Sequence, residues 1–215
     1  MARVAANRLP ALPTSQLQKE RFRRILQSAA VHGAQHGFDG VQMVDIARDA
    51  GVAIGTLYRY FPSKAILFAA VMRSQVEQLE QIAELVASPE QPAKAVADLL
   101  NEAARRLVAT PQLARAMLQS NNLMVSGGLQ SLALSVTFSD LLLRVCGLDQ
   151  PSDHDRVLVR LVEQTWYGIL ISRLNGFTLP DQAESDTVLA CRLLLVELGQ
   201  VTQTQELDTK HKGAS

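Results

Sequence analysis

Residues 37–64, GFDGVQMVDIARDAGVAIGTLYRYFPSK, hold two short helical patterns hinged at a glycine, and a chain organised around such a stretch has to supply further helices to bury it. The spacing predicts a first helix over 44–50, with Ile46, Ala47 and Ala50 facing inward at one-turn intervals. Gly51 then permits the left-handed backbone that a tight turn requires, and Val52 plugs the corner. A second helix over 55–61 sets Leu57 and Phe61 four residues apart as its buried stripe, which turns Thr56, Tyr58, Arg59 and Tyr60 outward. A hydroxyl, a guanidinium and two phenols suit a DNA groove, and the whole reads as a helix-turn-helix.

Net charge sharpens this reading through its distribution. The 215 residues sum to zero, yet residues 1–64 hold nine Lys+Arg against four Asp+Glu, and residues 65–215 hold twelve against seventeen. A head of +5 on a body of −5 orients toward a polyanion and makes binding salt-dependent. The length allows one sizeable core, or a small and a medium one, without metal or disulfide. Cys146 and Cys191 sit in no CxxC or CxxH pattern and read as small buried hydrophobes in a reducing, cytoplasmic setting. No apolar leader region and no bilayer-spanning run is present, so no membrane partner is expected.

Along the chain, residues 1–15 read as a mobile arm, whose Arg3 and Arg8 either follow a minor groove or stay in a solvated tail. An amphipathic helix over 15–35 turns Phe22, Ile25, Leu26 and Ala29 inward and leaves Lys19, Arg21, Arg23 and Arg24 in solvent or near phosphates. His32 and His36 have helical metal-pair spacing but lack a third ligand, so a half-buried His32 and an exposed His36 are expected. Pro62 ends the second short helix and Ser63 caps a long one over 64–86. Helices follow over 93–109, 111–120, 129–146, 152–175 and 181–202, with Asn121-Asn122 and Gly127-Gly128 as punctuation and a loose tail after Glu206. The last two are apolar on more than one stripe, which calls for two partners, the domain core and a second subunit.

Ile46-Ala47, Ala50-Gly51-Val52, Gly55-Thr56-Leu57-Tyr58-Arg59-Tyr60-Phe61 and Lys64 together resemble the N-terminal signature of TetR-type transcriptional regulators. The likeness covers residues 20–70 in motif and the whole chain in length and layout. It implies an all-α homodimer: a three-helix DNA-binding domain with a helix-turn-helix (16–64), then a helical ligand-binding and dimerisation domain (65–205), flanked by the arm (1–15) and tail (206–215). It also implies double-stranded operator DNA as partner. Thr56, Tyr58 and Arg59 are assigned to the major groove, and Tyr60, Lys64, Gln42 and Val44 to phosphates. Three positions depart from the family pattern: Gly33, where an aromatic residue usually fills the core, and Gln42 and Ala53, where a capping hydroxyl is usual.

For the effector, Met117, Asn121, Met124, Phe138, Trp166, Tyr167 and Leu170 either line an apolar cavity with a few polar groups or are plain core. Val41-Gln42-Met43, Val52-Ala53 and the 55–64 run, with a late tryptophan helix, are most similar to actinobacterial repressors of cholesterol catabolism. That resemblance implies a small apolar effector, a steroid or an acyl thioester of coenzyme A, with Arg105 or Arg173 meeting an anionic group. A regulator of drug efflux that senses lipophilic cations is the alternative within the family, and a helical adaptor that binds protein is the alternative outside it. No catalytic constellation, cofactor motif or metal cluster is legible, and Asp153-His154-Asp155 reads as a solvated loop.

Overall fold

The computed structural model describes residues 11–126 and 135–198, and among these it contains nine helices and no strand. They group into two units, one made of the described residues of Met1–Glu77 and Ala109–Leu134, the other of those of Gln78–Val108 and Ser135–Ser215. The long helix α4 (Lys64–Val86) contributes to both.

In the first unit, α1 (Gln16–Gly40) starts at Ser15, whose hydroxyl accepts from the Gln18 amide. Its regular course ends at Gly37, where φ is +64°. Ile25, Ala29 and Gly33 form its buried stripe at four-residue intervals. Two short helices follow, α2 (Met43–Asp49) and α3 (Ile54–Tyr60), joined by a turn in which Gly51 also has φ +64° and Val52 donates to the Ala47 carbonyl. Both begin without a side-chain cap, as Gln42 and Ala53 led one to expect. Packing has to hold them instead: Ile46, Ala47, Ala50, Leu57 and Phe61 are all at most 3% exposed.

The vacancy at Gly33 is filled from two other helices. A Cβ there would stand 2.6 Å from Phe68 of α4 and 2.9 Å from Leu113 of α6 (Pro111–Ser126). The missing aromatic ring is thus supplied by Phe68, and the glycine lets α6 lie close against α1. α6 is longer than the 111–120 helix expected, since it runs through Asn121 and Asn122 without a break. Asparagine is unfavourable in a helix interior by only a fraction of a kcal/mol, about 0.7 at most, which burial of Met117, Leu118 and Met124 offsets.

The second unit comprises the end of α4, α5 (Pro92–Ala109), α7 (Ser135–Val145), α8 (Asp153–Leu174) and α9 (Pro180–Leu194). α8 opens on a reciprocal capping box, with the Ser152 hydroxyl accepting from the Asp155 amide while the Asp155 carboxylate accepts from the Ser152 amide. α5 is held to α9 by a two-pronged Arg105–Glu184 pair at 3.0 and 3.1 Å, and Arg105 also reaches Glu102. The Arg105 hydrogen bonds are the main reason the Glu184 carboxyl titrates below its usual range. Cys146 and Cys191 are buried free thiols whose pKa values burial pushes up to about 12, which leaves them protonated and inert. No described helix is long and apolar enough to cross a membrane. Arg3, Arg8, Gly127-Gly128 and the tail from 206 lie outside the described residues.

Candidate nucleic-acid interface

α2 and α3 meet the rest of the first unit through one face each. On α2 the outer face includes Gln42 at the N-cap and Val44, 59% exposed. α3 presents Tyr58 and Arg59 to solvent and leaves Thr56 half-buried beside them, all carried on a fully buried Leu57. The exposed arginines Arg21, Arg23 and Arg24 of α1 belong to the same unit, so its surface is cationic as well as shaped.

Two residues expected at this surface have other primary contacts. Tyr60, assigned outward to phosphates, is 1% exposed, and its ring stands edge-on to Phe22 at 5.6 Å. The inward stripe of α3 therefore includes Leu57 and Tyr60, three apart, as well as Phe61, and both three- and four-residue spacings fall on one helical face. The assignment of Tyr60 to the outer surface is corrected accordingly. Lys64 directs its ammonium at the end of α1, donating to the carbonyls of Phe38 (2.8 Å) and Asp39 (3.2 Å) above the Phe38 ring. An ammonium has three donors, so these two bonds leave one for an outside acceptor.

A further tie, between His32 and Asp49, joins residues seventeen apart and carries no local sequence signal. His32 Nε2 lies 2.7 Å from Asp49 Oδ2 and spans α1 to the end of α2. Hydrogen bonds from His32 first, and from Arg48 second, hold the Asp49 carboxyl below its ordinary range. Among the described residues no group of three or more His, Cys, Asp or Glu side chains could hold a metal, and His36 is exposed. Beside this tie is an open groove of about 390 Å³, lined by Arg24, Gln27, Val31, His32, Asp49 and Gly51 among others, and none of the expected effector residues borders it.

Those effector residues divide between the units. Met117, Asn121 and Met124 sit on α6 in the first, where Met124 packs against Ala69, Ala65 and Ile66. Phe138, Trp166, Tyr167 and Leu170 sit in the second, where the Phe138 and Trp166 rings approach to 5.6 Å. Sequence reasoning missed Glu163, one turn before Trp166 and Tyr167 on α8. Its carboxylate accepts from the Ser139 hydroxyl at 2.9 Å, and burial pushes its pKa up to about 7. Of the two arginines proposed to meet an anion, Arg105 is engaged with Glu184 and Glu102, while Arg173 has a buried Nη1 that no acceptor meets.

A glycine-hinged pair of short helices, with a polar and cationic outer face on an apolar inner one, defines a helix-turn-helix DNA-binding protein. Comparison with known proteins narrows the class. Residues 25–71 match the family described as bacterial regulatory proteins, tetR family, and residues 90–194 match the tetracyclin repressor-like, C-terminal domain. A TetR transcriptional regulator from Rhodococcus sp. RHA1, solved by crystallography, is 38% identical with a TM-score of 0.75, over 86% of this chain and all of that one. The HTH-type transcriptional repressor KstR of Mycolicibacterium smegmatis is 27% identical over 84% of this chain and 90% of its own length. The KstR of Rhodococcus jostii is 28% identical over 86% and 85%. The chain belongs to the TetR family of transcriptional regulators. Its relatives are regulators, not enzymes.

Proposed function

We propose that this protein is a ligand-responsive repressor that binds a palindromic operator as a homodimer and is released by a bulky apolar effector. The carrying observation is α3, which presents Arg59 and Tyr58 to solvent with Thr56 beside them, on a core of Leu57, Tyr60 and Phe61. Arginine is the side chain there that makes a two-pronged contact to guanine, with Gln42, Val44 and the third donor of Lys64 left for phosphates. The relatives named KstR are repressors, in keeping with the resemblance to repressors of cholesterol catabolism.

Homodimerisation is supported by the second unit, where α8 and α9 leave Val157, Leu161, Val188, Leu189 and Leu193 exposed in rows. A second copy offers the same rows about a two-fold axis, and a palindromic operator then calls for two recognition helices about 34 to 36 Å apart. In this reading residues 16–64 bind DNA and residues 65–205 bind ligand and dimerise. α6 is the coupling element, because Met117, Asn121 and Met124 sit on a helix packed against α1 at Gly33. A ligand that favours one placement of α6 biases the head, and linkage requires operator DNA to weaken ligand binding by the same factor.

The test is Arg59→Ala on a duplex selected from a random pool and on its scramble. A loss of about 1 to 3 kcal/mol confined to the selected duplex is expected, with relaxed preference at one base pair. Equal losses on both would refute the base-contact role. Glu163 supports a second reading, since a half-buried carboxyl one turn from Trp166 and Tyr167 suits a lipophilic cation. A thermal-shift screen of sterols, acyl thioesters and lipophilic cations, with and without DNA, separates the two.

A further inference from the structure

Tyr60 occupies the last turn of α3 with its ring fixed from two sides, edge-on to Phe22 at 5.6 Å and 6.3 Å from Phe61. A phenol buried to 1% exposure needs a partner for its hydroxyl. It finds one next door in the chain: Arg59 Nη2 donates to Tyr60 Oη at 3.2 Å, and the guanidinium carbon stands 5.0 Å from the centre of the Tyr60 ring. The Arg59 carbonyl is held as well, accepting from the Ala11 amide at 3.2 Å. Arg59 is therefore an exposed arginine anchored at both its backbone and its guanidinium, whereas an ordinary surface arginine samples many rotamers.

We propose that Tyr60 is a positioning residue for sequence recognition, a rigid post that holds the Arg59 guanidinium in the pose in which it reads a base pair. The inference rests on the reading of Arg59 as a base contact. The chemistry is consistent: a guanidinium carries five donors in a fixed fork, so one bond to the phenol leaves donors for the two acceptors on the guanine edge. Holding a long side chain in its bound pose before binding removes an ordering cost otherwise charged to association. That gain belongs to base readout and not to phosphate contacts, so it should appear as selectivity.

The experiment compares wild type, Tyr60→Phe, Arg59→Ala and the double variant by fluorescence anisotropy at one fixed salt concentration. Probes are a duplex selected by the wild-type protein from a random pool and its scramble. Tyr60→Phe keeps the ring and its packing and deletes the hydroxyl. Expected are an affinity loss of about fivefold to tenfold on the selected duplex, little change on the scramble, and no added loss in the Arg59→Ala background. Equal losses on both duplexes, or a full additional loss in the double variant, would mean that Tyr60 only supports the fold, and would overturn the proposal. A second measurement needs neither DNA nor a variant: ¹⁵N relaxation at Nε in the free protein should give Arg59 an order parameter of about 0.8, well above that of exposed Arg23. Equal mobility of the two arginines overturns the positioning role even if Arg59 proves a base contact. An Arg59→Ala protein that keeps its sequence preference overturns the base-contact reading itself, and the relaxation result tells the two failures apart.

Discussion

α3 buries large side chains, Leu57 and Tyr60, and shows solvent the polar Tyr58 and Arg59, whereas α9 buries the small Ala183, Thr187 and Cys191 and leaves Val188, Leu189 and Leu193 44 to 63% exposed. Both helices have an inner stripe at the same period, but the sizes and polarities of inner and outer residues are reversed. In α3 most of the apolar area goes into the core of its own unit, Ile54 at 40% exposure being the exception, and Tyr58 and Arg59 outside can bond to an aqueous or ionic partner. In α9 most of the large apolar area is left outside, where each fully buried leucine or valine would be worth about 1.5 to 3 kcal/mol. An outer face of this kind gains from an apolar partner, and under the proposed function a second copy of the chain would supply the matching face. The contrast therefore separates a polar, cationic outer surface from an apolar one, in line with the nucleic-acid and protein partners proposed for them.

The contrast can be broken most directly on α9. Leu189→Glu with Leu193→Glu puts charges on the outer stripe and spares the buried one, so the dimer dissociation constant should rise roughly a thousandfold, about 4 kcal/mol. Light scattering should then show a folded monomer. An unfolded chain would make the stripe part of the core, and an intact dimer would put the interface elsewhere.

Next in size is Leu57→Ala on α3, at 0% exposure, which should cost about 3 kcal/mol through the lost methyl groups and the cavity they leave. Amide protection in α1 to α3 should fall by about two orders of magnitude. Trp166, the one tryptophan and a member of the second unit, should show unchanged fluorescence, and loss of its signal in parallel would deny the units independent cores.

The third change sharpens the comparison by charge. Glu163 has its folded pKa raised from 4.5 to about 7, so the folded state keeps a proton that the unfolded chain releases. Below pH 4.5 both states are protonated and burial carries no ionic penalty. The penalty grows between pH 4.5 and 7 and is complete above 7. Glu163→Gln should therefore stabilise the second unit by up to about 3 kcal/mol at pH 8 and hardly at pH 4. Urea unfolding followed through Trp166 reads the difference, and a gain independent of pH would show that Glu163 titrates normally.

Much of the head was legible because its signals are local. The turn at Gly51, the uncapped starts at Gln42 and Ala53, and the buried Ile46, Ala47 and Leu57 all follow from spacing within a few residues. Tyr60 was misread for a physical reason: at the end of a seven-residue helix, three- and four-residue spacings both mark an inner face, and the choice depends on Phe22, nearly forty positions earlier. The length of α6 was missed because its two asparagines weaken a helix by less than the burial of Met117 and Met124 strengthens it.

By itself the sequence determined the helical class, the hinge of the two short helices, the outward Tyr58 and Arg59, the capped start of α8 and the two-sided apolar character of α8 and α9, because each is written in periods of three or four residues. Tertiary structure alone decided that Phe68 and Leu113 fill the space at Gly33, that His32 binds Asp49, that α6 belongs with the head, and that Glu163 meets Ser139. Each of these depends on which distant side chain arrives at a given place, and that is set by how the helices pack in three dimensions and not by any spacing along the chain.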